Sequence, residues 1–399
     1  MKVCFETFGC RLNRAEALDL EAKFLARGWT TTERHDDADM IVVRCCSVTR
    51  RSQRDCEKLV EHIRGKYPTK RVVVTGCTAE RRNEQWLADM RDDKSAVPTR
   101  TARAYLKVQD GCSGKCTFCI VPTFRGAATS VPFDEVLARA QRFVEAGYHE
   151  IVVTGCNLSQ YVSGAKRLPE LVDALAEVDP GCRVRLGSLE PSPVALETVS
   201  AVASHKNACR YLHIPVQSGS DRILSAMRRP YRHADVEKIV SEAEKLMPGL
   251  GLGYDIMTGF PDETETDFLA TKGFLARTPF SKVHVFPFSE RPNTIAAAIP
   301  DSVPRELRHD RAREIAQIAE KARTDYIRRM KGRTVQIVVE DEQSLAGWTS
   351  EYVWCQIGAE KAKTLAHRHG GEKARISRKA LVTVRVREAM GHVLTGDPA

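Results

Sequence analysis

The stretch VQDGCSGKCTFCIVPTFRG, residues 108–126, places Cys112, Cys116 and Cys119 in the spacing C-x3-C-x2-C. Ligands this close together must lie on one tight loop around a single metal centre. Thiolate-rich coordination selects iron–sulfur clusters or zinc. A structural zinc ion needs four ligands, and the next histidine along the chain is only His149. Three thiolates on a cubane cluster would leave one iron with an open coordination position, so we favour an iron–sulfur cluster over a zinc knuckle.

The composition indicates a globular protein with room for two or three domains. The chain has 399 residues, of which 42% are hydrophobic, and no apolar run long enough to span a bilayer. The opening MKVCFETFGC lacks the pattern of a signal peptide, so we expect a cytoplasmic protein without membrane association. Because thiols stay reduced in that compartment, the thirteen cysteines are expected to be metal ligands or free thiols rather than disulfides. The net charge of +9 suggests a polyanionic partner without identifying it.

Upstream of this loop, three short apolar strands alternate with helical patterns. The segments KVCFETFGC, ADMIVVRCC and KRVVVTGC predict a βαβαβ unit with a parallel sheet. Cys10, Cys46 and Cys77 each follow the carboxyl end of a strand, and those ends face one crevice in an open α/β sheet. The three thiols are therefore expected to converge, although a buried cysteine taken singly is more often a core residue. Cys45 beside Cys46 is an ambiguity that spacing alone does not remove.

The sequence also predicts where the first helix of this unit begins and ends. Asn13 and Glu16 match a capping box, and Gly28 is expected to end the helix.

Downstream of the loop, repeated βα units predict a barrel or partial barrel. Strands are expected in AYLKVQDGC, EIVVTGCN, RVRLGSLE, YLHIPVQSGS, GLGYDIMTGFP and KVHVFPFS. Functional residues of such folds lie at the carboxyl ends of the strands. Polar residues recur at these ends, which favours a binding site over isolated loop polars: Asn157, Ser188, Glu190, Gln217 and Asp255.

The last part of the chain changes character. An arginine-rich segment with the apolar spacing of a long helix precedes short strands that predict a small β-barrel. Residues 361–387 contain nine lysines or arginines against one acidic residue, Glu372. Such a charge run is usually a solvated face. With the aromatic residues Trp348, Tyr352 and Trp354 nearby, it is also a plausible surface for RNA.

The cysteine loop, with Phe118 before its last cysteine and a barrel pattern behind it, resembles the radical S-adenosylmethionine (SAM) superfamily. Further segments narrow this resemblance, and they are TFGCRLNRAE, CCSVT, VVTGCTAE, TGCNLSQY, LHIPVQSGSDRILSAMRRPY, GYDIMTGFPDETETDF and HVFPFSERPNT. Together they resemble the radical SAM methylthiotransferases over nearly the whole chain. These enzymes place a methylthio group on tRNA adenosine or on a ribosomal protein.

The resemblance implies an architecture of three domains. Residues 1–93 would form an α/β domain with an open parallel sheet and residues 101–331 a radical SAM partial (β/α) barrel. Residues 332–399 would form a small RNA-binding β-barrel of the TRAM type.

The resemblance also implies two [4Fe-4S] clusters and SAM. Cys112, Cys116 and Cys119 would bind the radical-generating cluster, and Cys10, Cys46 and Cys77 an auxiliary cluster that carries sulfur. The residues that would lie around SAM are Phe118, Gly155, Asn157, Ser188, Glu190, Gln217 and Asp255. In the family, one SAM methylates the sulfur and a second yields the 5′-deoxyadenosyl radical that attacks C2 of the adenine. No side chain is expected to act as a nucleophile or as a general acid or base.

Within the family, GCRLNRAE and TGCNLSQY are most similar to the members that act on N6-threonylcarbamoyladenosine beside the anticodon. Alternatives are members acting on isopentenyladenosine or on a ribosomal protein and, less favoured, a non-catalytic iron–sulfur protein that binds RNA or transfers electrons. Expected partners are tRNA, an electron donor of the flavodoxin or ferredoxin type, and a sulfur source.

The chain departs from the family pattern in three places. Arg44 and Cys45 replace the first two residues of an Asn-Thr-Cys motif, and Asp262 stands where a glycine usually follows a Phe-Pro pair. The segment between Cys77 and Cys112 is shorter than usual, so we expect the auxiliary cluster to be less sheltered.

Overall fold

The structure is a computed structural model, and it describes residues 1–46, 50–77, 97, 100–300, 303–358 and 378–399. The first part of the chain forms a four-stranded parallel sheet in the order β2-β1-β3-β4. This confirms the predicted open sheet. Its elements are β1 (Lys2–Thr7), α1 (Arg11–Ala26), β2 (Thr30–Thr31), β3 (Met40–Cys45), α2 (Arg50–Lys66) and β4 (Arg71–Gly76). The boundary expected at residue 93 and the shortened segment that follows Cys77 lie in or across residues outside the described part.

The capping box predicted for α1 is wrong. The residue that caps the helix is Cys10, and it makes no side-chain hydrogen bond to the first turn. Asn13 is completely buried and donates instead to the carbonyl oxygens of Phe8 and Cys45, at 3.0 and 2.8 Å. Glu16 pairs with Lys107 and Arg125 of the central part of the chain, because burial of the helix brings these cations against it. The predicted end is confirmed, since α1 ends at Ala26 and Gly28 has a φ of +78°.

The central part forms an incomplete barrel of parallel strands. Two three-stranded sheets, β11-β8-β5 and β12-β13-β14, meet through isolated bridges between Val184 and Ala208 and between Ser188 and His213. The strands are β5 (Ala104–Lys107), β6 (Gln109–Asp110), β7 (Thr129–Ser130), β8 (Glu150–Thr154), β9 (Val162–Ser163), β10 (Lys166–Arg167), β11 (Arg183–Leu186), β12 (Tyr211–Gln217), β13 (Gly251–Thr258) and β14 (Lys282–Pro287).

Helices cover the outside of this half-barrel. They are α3 (Val121–Arg125), α4 (Phe133–Glu145), α5 (Leu168–Val178), α6 (Pro193–Ser204), α7 (Asp221–Ala226), α8 (His233–Leu246), α9 (Glu265–Arg277) and α10 (Arg305–Arg328), with short 3-10 helices at Leu158–Gln160 and Ile295–Ala298. Alternate strand residues such as Leu106 and Val153 point outwards into the largest apolar core. Their neighbours Tyr105 and Val152 point inwards and pack against Ala15 and Leu18 of α1. Helix α1 therefore covers part of the open inner face of the half-barrel.

The chain ends in a closed barrel with the strand order β15-β16-β17-β19-β18, which confirms the predicted small β-barrel. Its strands are β15 (Thr334–Asp341), β16 (Ala346–Thr349), β17 (Trp354–Ile357), β18 (Leu381–Met390) and β19 (Val393–Pro398). Among the helices of the described ranges, none is long and apolar enough to cross a membrane.

Two features of this region were expected to bind RNA, the aromatic residues and the basic run. The structure corrects the first, and most of the second lies outside the described residues. Trp348 and Tyr352 do not form a free aromatic surface, because they stack on each other at 4.6 Å and the guanidinium groups of Arg103 and Arg185 lie against the Tyr352 ring. Arg103 and Arg185 lie in the central part of the chain, so the two rings lie at the interface between the half-barrel and the C-terminal barrel. Most of the basic run, residues 361–377, lies outside the described residues.

The expectation that no cysteine forms a disulfide is also wrong. Cys45 at the end of β3 is bonded to Cys56 of α2. Both residues lie in one apolar cluster between the sheet and this helix, which brings their sulfur atoms together.

Candidate iron–sulfur and cofactor site

The radical loop, residues 111–120, begins after β6 and ends at α3. Two donors point at its thiols. The Gly114 N–H donates to Cys112 Sγ at 3.3 Å, and Arg229 Nη1 donates to Cys116 Sγ at 2.9 Å. A Cβ on Gly114 would lie 3.2 Å from Cys112 Sγ and 3.8 Å from Cys116 Sγ, so glycine leaves both sulfur atoms accessible from the loop. Positive charge and N–H donors beside thiolates are what an anionic iron–sulfur centre requires.

The sulfur atoms of neither triplet are spaced as they would be around a single zinc ion. Thiolates bound to one zinc ion lie about 2.3 Å from it and hence no more than about 4.6 Å from one another. Within the described parts of the chain, the one group of three potential ligands that all lie within 4.8 Å is Cys4, Glu6 and His35. Neither cysteine triplet is gathered that tightly. The donor set therefore fits an iron–sulfur cluster.

Burial keeps two thiols of the radical loop, Cys116 and Cys119, protonated when no metal is bound. It raises the pKa of Cys119 to about 11, and the neighbouring Cys116 and Cys112 act in the same direction. Burial also raises the pKa of Cys116, although Arg229 lowers it in part. Because iron binds the thiolate, loading the site must release these protons.

Next to the loop, three of the predicted cofactor residues form a polar rim. A Cβ on Gly155 would lie 2.8 Å from Gln109 Oε1, so only glycine allows this approach. The same oxygen accepts the Asn157 N–H at 2.9 Å, and Asn157 Nδ2 donates to Glu190 Oε2 at 2.6 Å. Glu190 in turn lies 3.6 Å from Arg229, the residue that donates to Cys116. The rim is thus continuous with the radical loop.

Gln217 supplies an observation that points to a ligand. Its side chain is only 7% exposed, and its Oε1 has no hydrogen-bond partner among the described residues. An unpaired buried acceptor is costly unless a bound group donates to it. A cofactor with amino and hydroxyl groups, as SAM has, would supply such a donor.

The remaining predicted cofactor residues lie in different surroundings. Ser188 Oγ and His213 Nδ1 are 3.0 Å apart, and His213 Nε2 is 3.1 Å from Asp255 Oδ1, so both predicted residues border the interior of the half-barrel. Phe118 is partly buried against an apolar cluster that contains Met227 and Phe260.

The second cysteine triplet lies at one edge of the first sheet, as predicted. Cys10 precedes α1, Cys46 follows β3 and Cys77 follows β4. A Cβ on Gly9 would lie 2.5 Å from Cys46 Sγ, so the glycine makes room for that sulfur. Cys45 is held in the disulfide with Cys56, which leaves Cys46 as the cysteine of this pair outside the bond.

The two triplets share a wall built around Arg125. This arginine ends α3, directly after the radical loop, and its Nε donates to Cys77 Sγ at 3.2 Å. It also pairs with Asp110 at 2.8 Å and with Glu16 at 2.9 Å. Burial raises the pKa of the Cys156 thiol on the rim, and its Sγ donates to Asp110 Oδ1 at 3.6 Å, the oxygen that also pairs with Arg125. Cys77 of the second triplet therefore lies beside the helix that follows the radical loop.

Comparison with known proteins agrees with these features. The Radical SAM superfamily matches residues 106–275, and the Uncharacterized protein family UPF0004 matches residues 2–97. The Threonylcarbamoyladenosine tRNA methylthiotransferase MtaB of Thermotoga maritima is 30% identical, over 88% of this chain and 90% of that protein. This chain belongs to the radical SAM methylthiotransferase family.

Two further comparisons place the methylthiotransferase within known sequences and folds. The tRNA-2-methylthio-N(6)-dimethylallyladenosine synthase of Christiangramia forsetii is 26% identical, over 86% of this chain and 84% of that protein. The structure of the radical SAM methyltransferase TsrM from Kitasatospora setae, with tryptophan and a SAM analogue bound, has a TM-score of 0.55 and 13% identity. It covers 74% of this chain and 75% of that chain, and the likeness concerns the fold alone.

Sequence reasoning missed Arg125, Arg229 and Gln109 in this methylthiotransferase. Each lies inside a motif quoted for the family resemblance, in VQDGC, PTFRG and AMRRPY. Their roles depend on contacts with residues distant in sequence, so the motifs indicated their importance but not their partners.

Asp262 has a structural explanation. Its φ is +67°, a conformation that favours glycine and that aspartate tolerates better than most residues. Arg222 Nη1 donates to its carboxylate at 2.7 Å, which holds the loop in place.

Proposed function

We propose that this methylthiotransferase converts N6-threonylcarbamoyladenosine in tRNA to its 2-methylthio derivative. The observation that carries the proposal is the shared wall at Arg125, which joins the radical loop to Cys77 of the second triplet. A transfer of sulfur to a carbon radical needs the radical source and the sulfur carrier on opposite sides of one substrate.

Membership of the family implies a [4Fe-4S] cluster and SAM. Cys112, Cys116 and Cys119 would hold this cluster, with Arg229 and the Gly114 N–H offsetting its negative charge. When bound, the pair supplies the one-electron chemistry that activates a C–H bond for which no acid or base is strong enough. Asn157, Glu190 and Gln217 would orient SAM through its amino and hydroxyl groups.

A second [4Fe-4S] cluster is proposed on Cys10, Cys46 and Cys77. The bond between Cys45 and Cys56 supports the choice of Cys46 over its neighbour, because a sulfur atom in a disulfide is not a thiolate ligand. Arg125 would then donate to the ligand Cys77 and hold α3 against it.

The choice of substrate rests on two similarities. GCRLNRAE and TGCNLSQY match the members that act on N6-threonylcarbamoyladenosine, and the Thermotoga maritima relative is named for that nucleoside. We propose a flavodoxin or ferredoxin as electron donor and a separate sulfur source. The C-terminal barrel is proposed to bind the tRNA, with its basic residues on the phosphates.

The test in cells is nucleoside mass spectrometry of tRNA with and without the gene. Loss of the 2-methylthio derivative of N6-threonylcarbamoyladenosine is the expected result. Loss of the isopentenyladenosine derivative, or of a methylthio group on a ribosomal protein, would instead assign one of the alternative substrates.

The test of the chemistry uses the reconstituted protein without oxygen. Two clusters predict about eight iron atoms per chain. Replacing Cys112, Cys116 and Cys119 by alanine should remove about half the iron and abolish 5′-deoxyadenosine formation. The matched control is Cys182→Ala, because Cys182 is buried in the apolar core away from both triplets. A triple variant that still cleaved SAM would contradict the assignment of the radical loop.

A further inference from the structure

Four cations surround the Tyr352 ring in the interior of the half-barrel. Arg103 and Arg185 are paired with Glu150, whereas Lys282 and Arg11 are not. Lys282 begins β14, Arg11 begins α1, and Tyr352 lies between β16 and β17 of the C-terminal barrel. Lys282 Nζ lies 5.7 Å and Arg11 Cζ 5.0 Å from the centre of the Tyr352 ring. All three parts of the chain therefore contribute to this point, and both cationic side chains are half-buried.

Neither cation has a carboxylate partner at ion-pair distance among the described residues. The interior carboxylate Asp255 is engaged with His213 at 3.1 Å and lies 3.8 Å from His284. The deeper carboxylate, Glu150, is taken by Arg185 at 2.7 Å.

The positive charge at this point is therefore in excess. Burial lowers the pKa of Lys282, and Arg323 and Arg11 lower it further, against the opposite effects of Tyr352 and Asp255. Burial also lowers the pKa of His284 to about 4, and Lys282 adds to this effect. Arg11 also hydrogen-bonds the Tyr352 side chain, but neither cation has a counter-charge. Half-buried cations without a counter-charge are costly, and an incoming anion removes that cost.

The position of the pair fits recognition of a substrate rather than of a cofactor. Arg11 follows Cys10 of the second triplet directly, so the pair lies on the side of the site where the sulfur is proposed to be held. On β13 and β14, Asp255 pairs in register with His284, two residues beyond Lys282, so Lys282 lies deeper in the half-barrel than this polar layer. Arg11 reaches the same depth through its contact with the Tyr352 ring. A nucleoside that enters between the two triplets would extend its N6 substituent toward them.

We propose that Lys282 and Arg11 bind the carboxylate of the N6 substituent of the substrate nucleoside. This inference rests on the proposed function, because a threonylcarbamoyl group has one free carboxylate. The guanidinium group offers a planar pair of donors to the two carboxylate oxygens, and the ammonium group adds a third donor. An isopentenyl group is a neutral hydrocarbon and would leave both cations uncompensated, so the pair also selects against that substrate.

The test compares two anticodon stem–loop RNAs with the reconstituted holoenzyme. One contains N6-threonylcarbamoyladenosine, and in the other the threonyl carboxylate is replaced by a carboxamide. The wild type should process the carboxylate RNA with a kcat/KM on the order of ten-fold or more above that of the carboxamide RNA, since each retained hydrogen bond between charged groups is worth about that factor. Lys282→Gln should reduce the ratio to near one, and Lys282→Arg should retain most of it.

The matched control is Lys238→Gln, because Lys238 is an exposed lysine on α8 and should keep the wild-type ratio. Arg11→Gln should reduce the ratio as Lys282→Gln does, with iron content measured because Cys10 is adjacent. Should either glutamine variant fail to fold or to bind iron, the wild-type ratio and Lys282→Arg still decide the outcome.

The possible failures are distinguishable. A wild type that methylthiolates the threonylcarbamoyl RNA but processes the carboxamide RNA equally well would overturn this inference and leave the proposed function intact. A wild type that methylthiolates only isopentenyladenosine RNA would overturn both.

Discussion

At the scale of single residues, two arginines distinguish this site from a set of buried thiols. Arg229 donates to Cys116 of the radical loop and Arg125 donates to Cys77 of the second triplet. Both guanidinium groups are almost fully enclosed, with exposed side-chain fractions of 6% and 9%. Each triplet therefore has one fixed positive charge of its own, which is suited to an anionic cluster.

The role of Arg125 can be tested through the reduction potential of the proposed second cluster. A donor to a ligand sulfur stabilises the reduced, more negative form, so Arg125→Met should shift that potential to more negative values. Arg125→Lys keeps the charge but not the geometry and should give a smaller shift. The measurement is a potentiometric titration followed by electron paramagnetic resonance.

Arg139→Met is the matched control for this experiment, since Arg139 pairs with Asp19 between α4 and α1 without a contact to either triplet. An unchanged potential in Arg125→Met, with full iron content, would contradict the role of Arg125.

The neighbouring cysteines 45 and 46 give a second prediction at this scale. Cys46→Ala should lose about half the iron, because it removes a ligand. Cys45→Ala should keep both clusters, because the sulfur of Cys45 is engaged with Cys56. Iron and sulfide analysis after anaerobic reconstitution measures both results, and the reverse pattern would move the ligand by one residue.

At the scale of secondary-structure elements, helix α1 connects the two halves of the site. It begins at Arg11, directly after Cys10, packs against β1 of its own sheet and covers the inner side of β5 and β8. Asn13 fixes its first turn by donating to the carbonyl oxygen of Cys45 and by accepting from Arg125 at 2.9 Å. The polar side of α1 is thus part of the wall between the triplets.

Asn13→Ala should therefore destabilise the protein. The substitution leaves the buried carbonyl oxygens of Phe8 and Cys45 without their donor, which costs about 1–3 kcal/mol in the free energy of unfolding. Urea denaturation measures this change. The control is Ser200→Ala on the exposed side of α6, where the hydroxyl returns to its own helix at Leu196 and little change is expected. Equal stability of Asn13→Ala and the wild type would show that water replaces the amide.

At the scale of the whole molecule, a buried ionic cluster joins the half-barrel to the C-terminal barrel. Glu150 of β8 pairs with Arg183 and Arg185 of β11. The two arginines also donate across the interface to the carbonyl oxygens of Gln336 and Thr349, at 2.7 and 2.8 Å. The barrel therefore closes the bottom of the half-barrel in addition to any contact with RNA.

Glu150→Gln should destabilise the half-barrel and the C-terminal barrel together. It leaves buried guanidinium groups without their counter-charge, which costs about 3–5 kcal/mol in the free energy of unfolding. Burial by itself would raise the pKa of Glu150, but Arg185 and Arg183 outweigh it and hold the pKa well below its usual range. The stabilisation is thus complete above the ordinary glutamate pKa and declines as the pH falls toward the depressed pKa.

Denaturation at neutral and at acidic pH measures this effect, with Glu177→Gln, an exposed glutamate of α5, as the control. A variant as stable as the wild type at neutral pH would contradict the prediction.

Local sequence patterns were enough to predict the order of the elements and the position of both cysteine triplets. Alternating βα patterns, glycine at the end of α1 and the spacing of the radical loop are local features, so short windows of residues record them. For the same reason the sequence places Asn157 and Glu190 at the carboxyl ends of strands.

Only the tertiary structure decided how the polar residues are paired. Asn13 and Glu16 satisfy the local rule for a capping box, yet buried carbonyl groups and cations from distant segments bind them instead. Tyr352 looks like a free RNA-binding residue in the sequence and lies between Arg11 and Lys282 in the fold. A buried charge must find its partner wherever packing brings one, and that partner can be any number of residues away along the chain. Periodicity and spacing carry no information about such pairs.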